Sequence, residues 1–227
     1  NKIVQYGDFW RKSNIDPVCI QGVLFSKDNL KIFESEENRK KTIDYLKKII
    51  SISGKLGIKV IMFGSPKNRK RNRLTVEEAN AIAVRFFEEL ARYAYCKGIY
   101  FCIEHNPKEY ESDYIESSSE ALTLAKKVNH PGFGIIIDTG GLVLLGDSSE
   151  TIITCGNYIK HFHISQPYLT SVESIDEKMH KSFADALRKI HYKGWVSIEM
   201  RRSKDPAESN YDRIKKSILT VKRTYGL

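Results

Sequence analysis

Four apolar runs end in side chains able to bind a metal: Phe101-Cys102-Ile103-Glu104, Ile135-Ile136-Ile137-Asp138, Ile159-Lys160-His161-Phe162-His163 and Trp195-Val196-Ser197-Ile198-Glu199. Each reads as a short strand, and a parallel barrel gathers the carboxyl ends of its strands around one mouth. Glu104, Asp138, His163 and Glu199 would bring three carboxylates and an imidazole to that mouth. Hard oxygens with one imidazole suit Mn2+, Mg2+ or Co2+, whereas Zn2+ more often recruits further His or Cys ligands. Such an ion polarises a sugar carbonyl and its neighbouring hydroxyl, stabilising an enediolate, while a carboxylate at its edge moves the carbon-bound proton. Either glutamate can serve as that base. A strand-end carboxylate taken singly is more often a helix cap or a salt-bridge partner. Four in consecutive units, all at the same end, carry the metal reading.

The elements that must position these groups follow from periodicity. Short β-like runs alternate with longer amphipathic stretches, the pattern of βα units around a parallel sheet. Six strands are expected, at Val18–Phe25, Lys59–Phe63, Ile99–Glu104, Gly134–Asp138, Ile159–Ile164 and Trp195–Glu199. A helix over Glu36–Lys55 places Ile43, Leu46, Ile49 and Ile50 on one face, with Gly54 and Gly57 as its stop. Thr75-Val-Glu-Glu78 is a capping box opening a helix to Lys97, and Ser117–Glu120 and Asp147–Glu150 repeat that start signal. Helices over Met179–Ile190 and from Pro206 to about Tyr225 complete the set. The expected fold is α/β, a (β/α)8 TIM barrel forming a single domain over 1–227. Six units are too few to close it, so the chain, which starts at Asn1 with an aromatic stretch and no strand, is expected to be amino-terminally truncated by two strands. An open doubly wound sheet is the alternative, but no glycine-rich phosphate turn follows the first strand.

Composition sets outer bounds. Of the 227 residues 41% are hydrophobic and 29% charged, an ordinary globular balance. The formal charge of +9 admits nucleic acid but equally suits an anionic small substrate. No apolar run approaches the roughly 20 residues that span a bilayer, and no signal-peptide pattern opens the chain, so a cytoplasmic protein without a membrane partner is expected. Cys19, Cys96, Cys102 and Cys155 lack CxxC spacing and are expected to be reduced and buried.

Ile103-Glu104-His-Asn-Pro107, Ile137-Asp138-Thr139-Gly-Gly, His161-Phe-His163-Ile and His191-Tyr-Lys-Gly-Trp-Val-Ser-Ile-Glu199 resemble the last four strands of the xylose isomerase-like TIM barrels. The nearest groups are the sugar phosphate isomerases and epimerases, including D-tagatose and D-psicose 3-epimerases. The resemblance runs from about Val18 to Glu199, and the His-Tyr-x-Gly-Trp-x-x-Ile-Glu ending is its strongest element. It implies that Glu104, Asp138, His163 and Glu199 are metal ligands and that Glu104 and Glu199 form the proton-transfer pair. It selects His163 over His161, leaving His161 a supporting or packing role. Two departures separate this chain from the epimerases: Gly141 stands where they carry a substrate-touching His, and Gln166-Pro-Tyr-Leu-Thr replaces a loop containing an Arg.

Other residues invite weighing. Gly64-Ser-Pro-Lys-Asn-Arg-Lys-Arg-Asn-Arg73 reads as a solvated loop, or as a means of holding a phosphate, carboxylate or nucleotide diphosphate through Lys67, Arg69 and Arg71. Asn106, Lys108 and Tyr110 can hydrogen-bond sugar hydroxyls or satisfy a turn. His180 is a helix cap or solvated residue, or alternatively a polar substrate contact at the mouth. His105 should point behind the site, and Arg201 with Arg202 can reach an anionic group. The leading function is thus a metal-dependent isomerase or epimerase of a sugar or sugar phosphate, and homo-oligomerisation is compatible with it. An endonuclease IV-like repair enzyme is the second reading. The six histidines are too few at strand ends for its three-metal cluster, which argues against a nucleic-acid partner. A non-catalytic sugar-binding barrel is the third.

Overall fold

The computed structural model describes residues 2–205 and 207–227. Its elements follow in the order α1 (Lys2–Lys12), β1 (Cys19–Ile20), α2 (Glu36–Leu56), β2 (Val60–Phe63), α3 (Val76–Tyr95), β3 (Tyr100–Glu104), α4 (Ser118–Val128), β4 (Phe133–Asp138), α5 (Thr139–Leu145), α6 (Ser149–Cys155), β5 (Ile159–Ile164), α7 (Glu177–Lys189), β6 (Trp195–Ile198) and α8 (Asn210–Tyr225). The chain divides into two compact units, Asn1–Ile135 and Ile136–Leu227, with β4 running through the division.

In the first unit β1, β2 and β3 pair in parallel, with Cys19 opposite Val60 and Phe63 opposite Ile103. Every residue of β2 is buried, as expected of a strand covered on both faces. The helix α3 turns Ala79, Ala83, Phe86, Phe87, Leu90, Ala91 and Ala94 inward, and its alanines let the backbone approach the sheet closely. Phe87 is the hub, with ring centroids 5.5 Å from Phe63, 5.1 Å from Phe86 and 5.1 Å from Phe133. Each such aromatic pair contributes about 0.5–1.5 kcal/mol beyond its buried area. Two of the three expected capping boxes form, at Thr75 with Glu78 and at Ser117 with Glu120, whereas α6 is capped by Ser148 rather than Asp147.

In the second unit β5 and β6 pair in parallel, with His161 opposite Trp195 and His163 opposite Ser197. Helix α7 buries Phe183, Ala184, Ala186 and Leu187, while α8 buries Ser217, Thr220, Val221, Thr224 and Tyr225.

Several boundaries differ from the sequence reading. The first strand keeps only Cys19–Ile20, because Gly22 and Ser26 adopt positive φ and the Phe25 amide closes a turn onto the Gly22 carbonyl at 2.8 Å. Helix α5 starts directly at Thr139, capped by the Asp138 side chain. The helix expected from Pro206 begins at Asn210 on a Ser209 cap, and Pro206 itself lies outside the described residues. The aromatic stretch near the amino terminus is helical, within α1. Cys102 and Cys155 are buried, but Cys96, at the end of α3, is exposed. Among the described residues no helix is long and apolar enough to cross a membrane.

Candidate functional site

In the second unit the three expected ligands stand at the ends of consecutive strands, Asp138 last in β4, His163 next to last in β5 and Glu199 just after β6. Asp138 is the last residue of β4 and also the cap of α5: its Oδ2 accepts from the Gly141 amide at 2.8 Å, and its Oδ1 accepts from the Ser165 hydroxyl. Ser165 is fixed in turn. Its amide donates to Thr139 Oγ1 at 2.8 Å, and its Oγ accepts from the Gly140 amide at 2.8 Å. Gly140 has to be glycine here, since a Cβ would lie 2.6 Å from Ser165 Oγ and 2.7 Å from the Gln166 carbonyl oxygen. The cap and the ligand readings of Asp138 are therefore compatible: capping and hydroxyl donation set the carboxylate's direction without using all its lone pairs.

His163 is 2% exposed, and its Nδ1 lies 3.1 Å from Glu199 Oε2. Glu199 sits one residue past β6, held by its amide donating to the Ile164 carbonyl at 2.9 Å. Two ligands each about 2.1 Å from one ion and at right angles lie about 3.0 Å apart, so this imidazole–carboxylate spacing fits a shared divalent cation as well as a direct hydrogen bond. His161 stacks edge-on to His163 with centroids 5.0 Å apart, and its Nε2 meets Ser197 Oγ at 2.9 Å. Burial pushes its pKa down to about 3, reinforced by His163 and opposed by Glu199, so it is neutral. That environment agrees with the supporting role implied for it.

In the first unit Glu104 ends β3 and is buried. Its Oε2 accepts from the Asn106 amide nitrogen at 3.3 Å and lies over Gly64, where a Cβ would come within 2.9 Å of it. His105 faces away, its Nδ1 3.5 Å from Ser118 Oγ on α4, as strand alternation predicts.

The basic run after β2 is solvated only in part, and Arg69, expected either to lie in a solvated loop or to hold an anion, does neither. Arg69 is fully buried, donating to the Glu104 carbonyl at 2.7 Å, to Asn106 Oδ1 at 2.8 Å and to the Ile115 carbonyl at 3.4 Å. Desolvation lowers its pKa to about 10, with Glu104 the largest opposing influence, so it keeps its charge at neutral pH. Asn68 donates to the carbonyls of Lys27 and Leu30, and Arg71 to that of Asp113. Lys67, in an exposed pair with Glu111, and Arg73 stay at the surface.

His180 is also displaced from its expected place at the mouth. It is buried in α7 with Nδ1 2.8 Å from the Tyr225 hydroxyl on α8. Lys108 is exposed and Tyr110 half-buried in a 3-10 turn after Glu104, and Arg201 is exposed in the loop after β6. Ser165 and Thr139 went unrecognised from the sequence, although Ser165 lies two residues beyond His163 and so faces the same way.

The sequence pattern of the xylose isomerase-like TIM barrel family matches residues 26–220. No curated protein matches the sequence. Among solved structures, a D-psicose 3-epimerase crystallised in the presence of D-fructose is similar with a TM-score of 0.82 at 15% identity, covering 100% of this chain and 84% of its own. A D-allulose 3-epimerase from Methylomonas sp. gives 0.79 at 18% identity over 99% and 82%. The IolI protein, whose structure has a binding zinc atom, gives 0.76 at 16% over 100% and 82%. Likeness at these identities carries the fold, a (β/α) barrel of which the described residues supply six strands. With the family pattern spanning most of its length, the chain belongs to the xylose isomerase-like TIM barrel family.

Proposed function

We propose that this protein is a metal-dependent isomerase or epimerase of a sugar or sugar phosphate, with Glu104, Asp138, His163 and Glu199 as ligands of one divalent cation. The observation that carries the reading is the 3.1 Å pairing of His163 Nδ1 with Glu199 Oε2 at the ends of adjacent strands; Asp138, at the end of β4, is held by Ser165 and Gly141. Hard oxygens with one imidazole favour Mn2+, Mg2+ or Co2+, and zinc is the competing occupant because the similar IolI structure has a zinc atom.

When bound, the cation would supply the positive charge that acidifies the carbon-bound proton beside a sugar carbonyl. Glu104 and Glu199 then divide the proton work, one removing it from carbon and the other returning one. His163 keeps the Glu199 carboxylate pointed along one direction. Burial of Glu104 and of His163 excludes water from their side chains, which strengthens electrostatic effects there. Lys108 and Arg201, exposed in loops that follow β3 and β6, offer cations to an anionic substituent such as a phosphate.

The test is exchange in D2O. Mn2+-loaded protein is incubated with D-fructose, D-allulose and D-tagatose, and loss of carbon-bound protons next to the carbonyl is followed by NMR. Glu104→Gln and Glu199→Gln should each abolish the exchange, by about 1,000-fold or more for loss of a positioned base and ligand. Full exchange in both variants would remove the proposed roles. A folded wild-type sample that binds no divalent ion by elemental analysis would favour a non-catalytic sugar-binding barrel.

A further inference from the structure

We infer that Arg69 and Asn106 form a relay that orients the Glu104 carboxylate, making both positioning residues for that side chain; its consequence for metal binding rests on the reading above. The chemistry of the three groups decides the direction of the relay. Arg69 is a donor only, so the atom of Asn106 lying 2.8 Å from its Nη2 has to be the amide oxygen. That choice turns the amide nitrogen toward Glu104, where Nδ2 donates to Oε2 at 3.3 Å. The flipped amide would set NH2 against the guanidinium and oxygen against the carboxylate, which is repulsive at both ends. A hydrogen-bond assignment that is usually ambiguous is here fixed by a buried cation.

The relay is also anchored at its root. Arg69 Nη1 donates to the Glu104 backbone carbonyl at 2.7 Å, so one guanidinium holds both the strand end that carries the carboxylate and the amide that aims it. Gly64 completes the arrangement from the other side, because a Cβ there would stand 2.9 Å from the same Oε2. Glu104 Oε2 is thus confined by a donor on one side and a bare Cα on the other, and the carboxylate's second oxygen is set in direction as a consequence. A packing role alone would not require an arginine. Burying a guanidinium is expensive, and an apolar side chain of similar volume would hold β3 and the Ile115 segment together at less cost. What an apolar side chain cannot do is fix the Asn106 amide.

The experiment uses the whole chain and two readouts, one independent of metal. In protein labelled with 15N-asparagine, the Asn106 side-chain amide is identified by its absence in Asn106→Ala, then followed in Glu104→Gln and Arg69→Met. Both substitutions should move it. In parallel, Mn2+ affinity is measured by EPR titration. Asn106→Ala and Arg69→Met should each weaken it by about 10- to 100-fold, the usual loss when a group that orients a ligand is removed. The double variant should be no weaker than the weaker single, because the two residues act in series. An Asn106 amide unmoved by either substitution overturns the relay, as does wild-type Mn2+ affinity in Asn106→Ala. If Arg69→Met fails to fold, Asn106→Ala and Glu104→Gln, which leave the guanidinium in place, still decide the outcome. A wild-type chain that binds no Mn2+ while its Asn106 amide responds to Glu104→Gln would remove the metal reading and leave the relay standing.

Discussion

Replacing His180 with Gln should remove a pH dependence of stability that the wild-type chain carries. His180 lies between α7 and α8 with Nδ1 2.8 Å from the Tyr225 hydroxyl, and its Nε2 is buried with no hydrogen-bond partner among the described residues. A charged imidazole would need partners for two N–H groups and has a place for one. Burial accordingly lowers its pKa from 6.5 to about 4, with Asp176 opposing the shift. The folded form therefore keeps the ring neutral while the unfolded chain takes up a proton as pH falls below about 6.5. Stability is intact above that pH and declines between pH 6.5 and 4 at up to about 1.4 kcal/mol per unit. Between pH 7.5 and 5.5 the loss from this one residue comes to about 1.4 kcal/mol. His161, lowered to about 3, adds to the slope in the same direction and is left untouched in the comparison. Urea unfolding of wild type and His180→Gln at a series of pH values isolates the term, since every other titrating group is common to both. Parallel curves, differing by a constant, would refute the reasoning. The same variant should leave Mn2+ affinity unchanged, because His180 is packed between helices.

Further outcomes follow from close approaches and caps. Gly140→Ala would drive a Cβ to 2.7 Å from the Gln166 carbonyl oxygen, a backbone atom with little freedom, and should cost about 1–3 kcal/mol in urea unfolding. Gly64→Ala meets only the tip of the Glu104 side chain at 2.9 Å, so its unfolding free energy should change by less than about 1 kcal/mol while Mn2+ affinity falls about 10-fold. Thr75→Ala or Ser117→Ala, each removing half of a capping box, should destabilise by about 1 kcal/mol in the same assay. Mn2+ at 100 times its dissociation constant should stabilise the chain by about 2.7 kcal/mol, an increment that EDTA reverses and Asp138→Asn diminishes.

Much of this molecule was legible before folding because its signals act over one or two turns of chain. The capping boxes at Thr75 and Ser117, the Gly57 stop after α2 and five of the strands stand close to where periodicity puts them. Glu104 and Asp138 close their strands, His163 is next to last in β5, and Glu199 directly follows β6, so the candidate ligands were readable as strand endings. The strand at Val18–Phe25 was overestimated because apolar content masked the Gly22 turn. What local pattern could not reveal was which polar groups would be taken out of water. Arg69 finds its acceptors 35, 37 and 46 residues away and His180 its partner 45 residues away, so an arginine read as part of a solvated or anion-holding loop is buried against β3, and a histidine read as a helix cap or a substrate contact packs between helices. Sequence by itself determined the elements and the chemistry at their ends, because propensity, capping and strand alternation are properties of neighbouring residues. Only the tertiary structure decided which side chains bear the cost of burial and which groups aim the carboxylates, because desolvation and hydrogen-bond geometry depend on partners that the chain brings together from a distance.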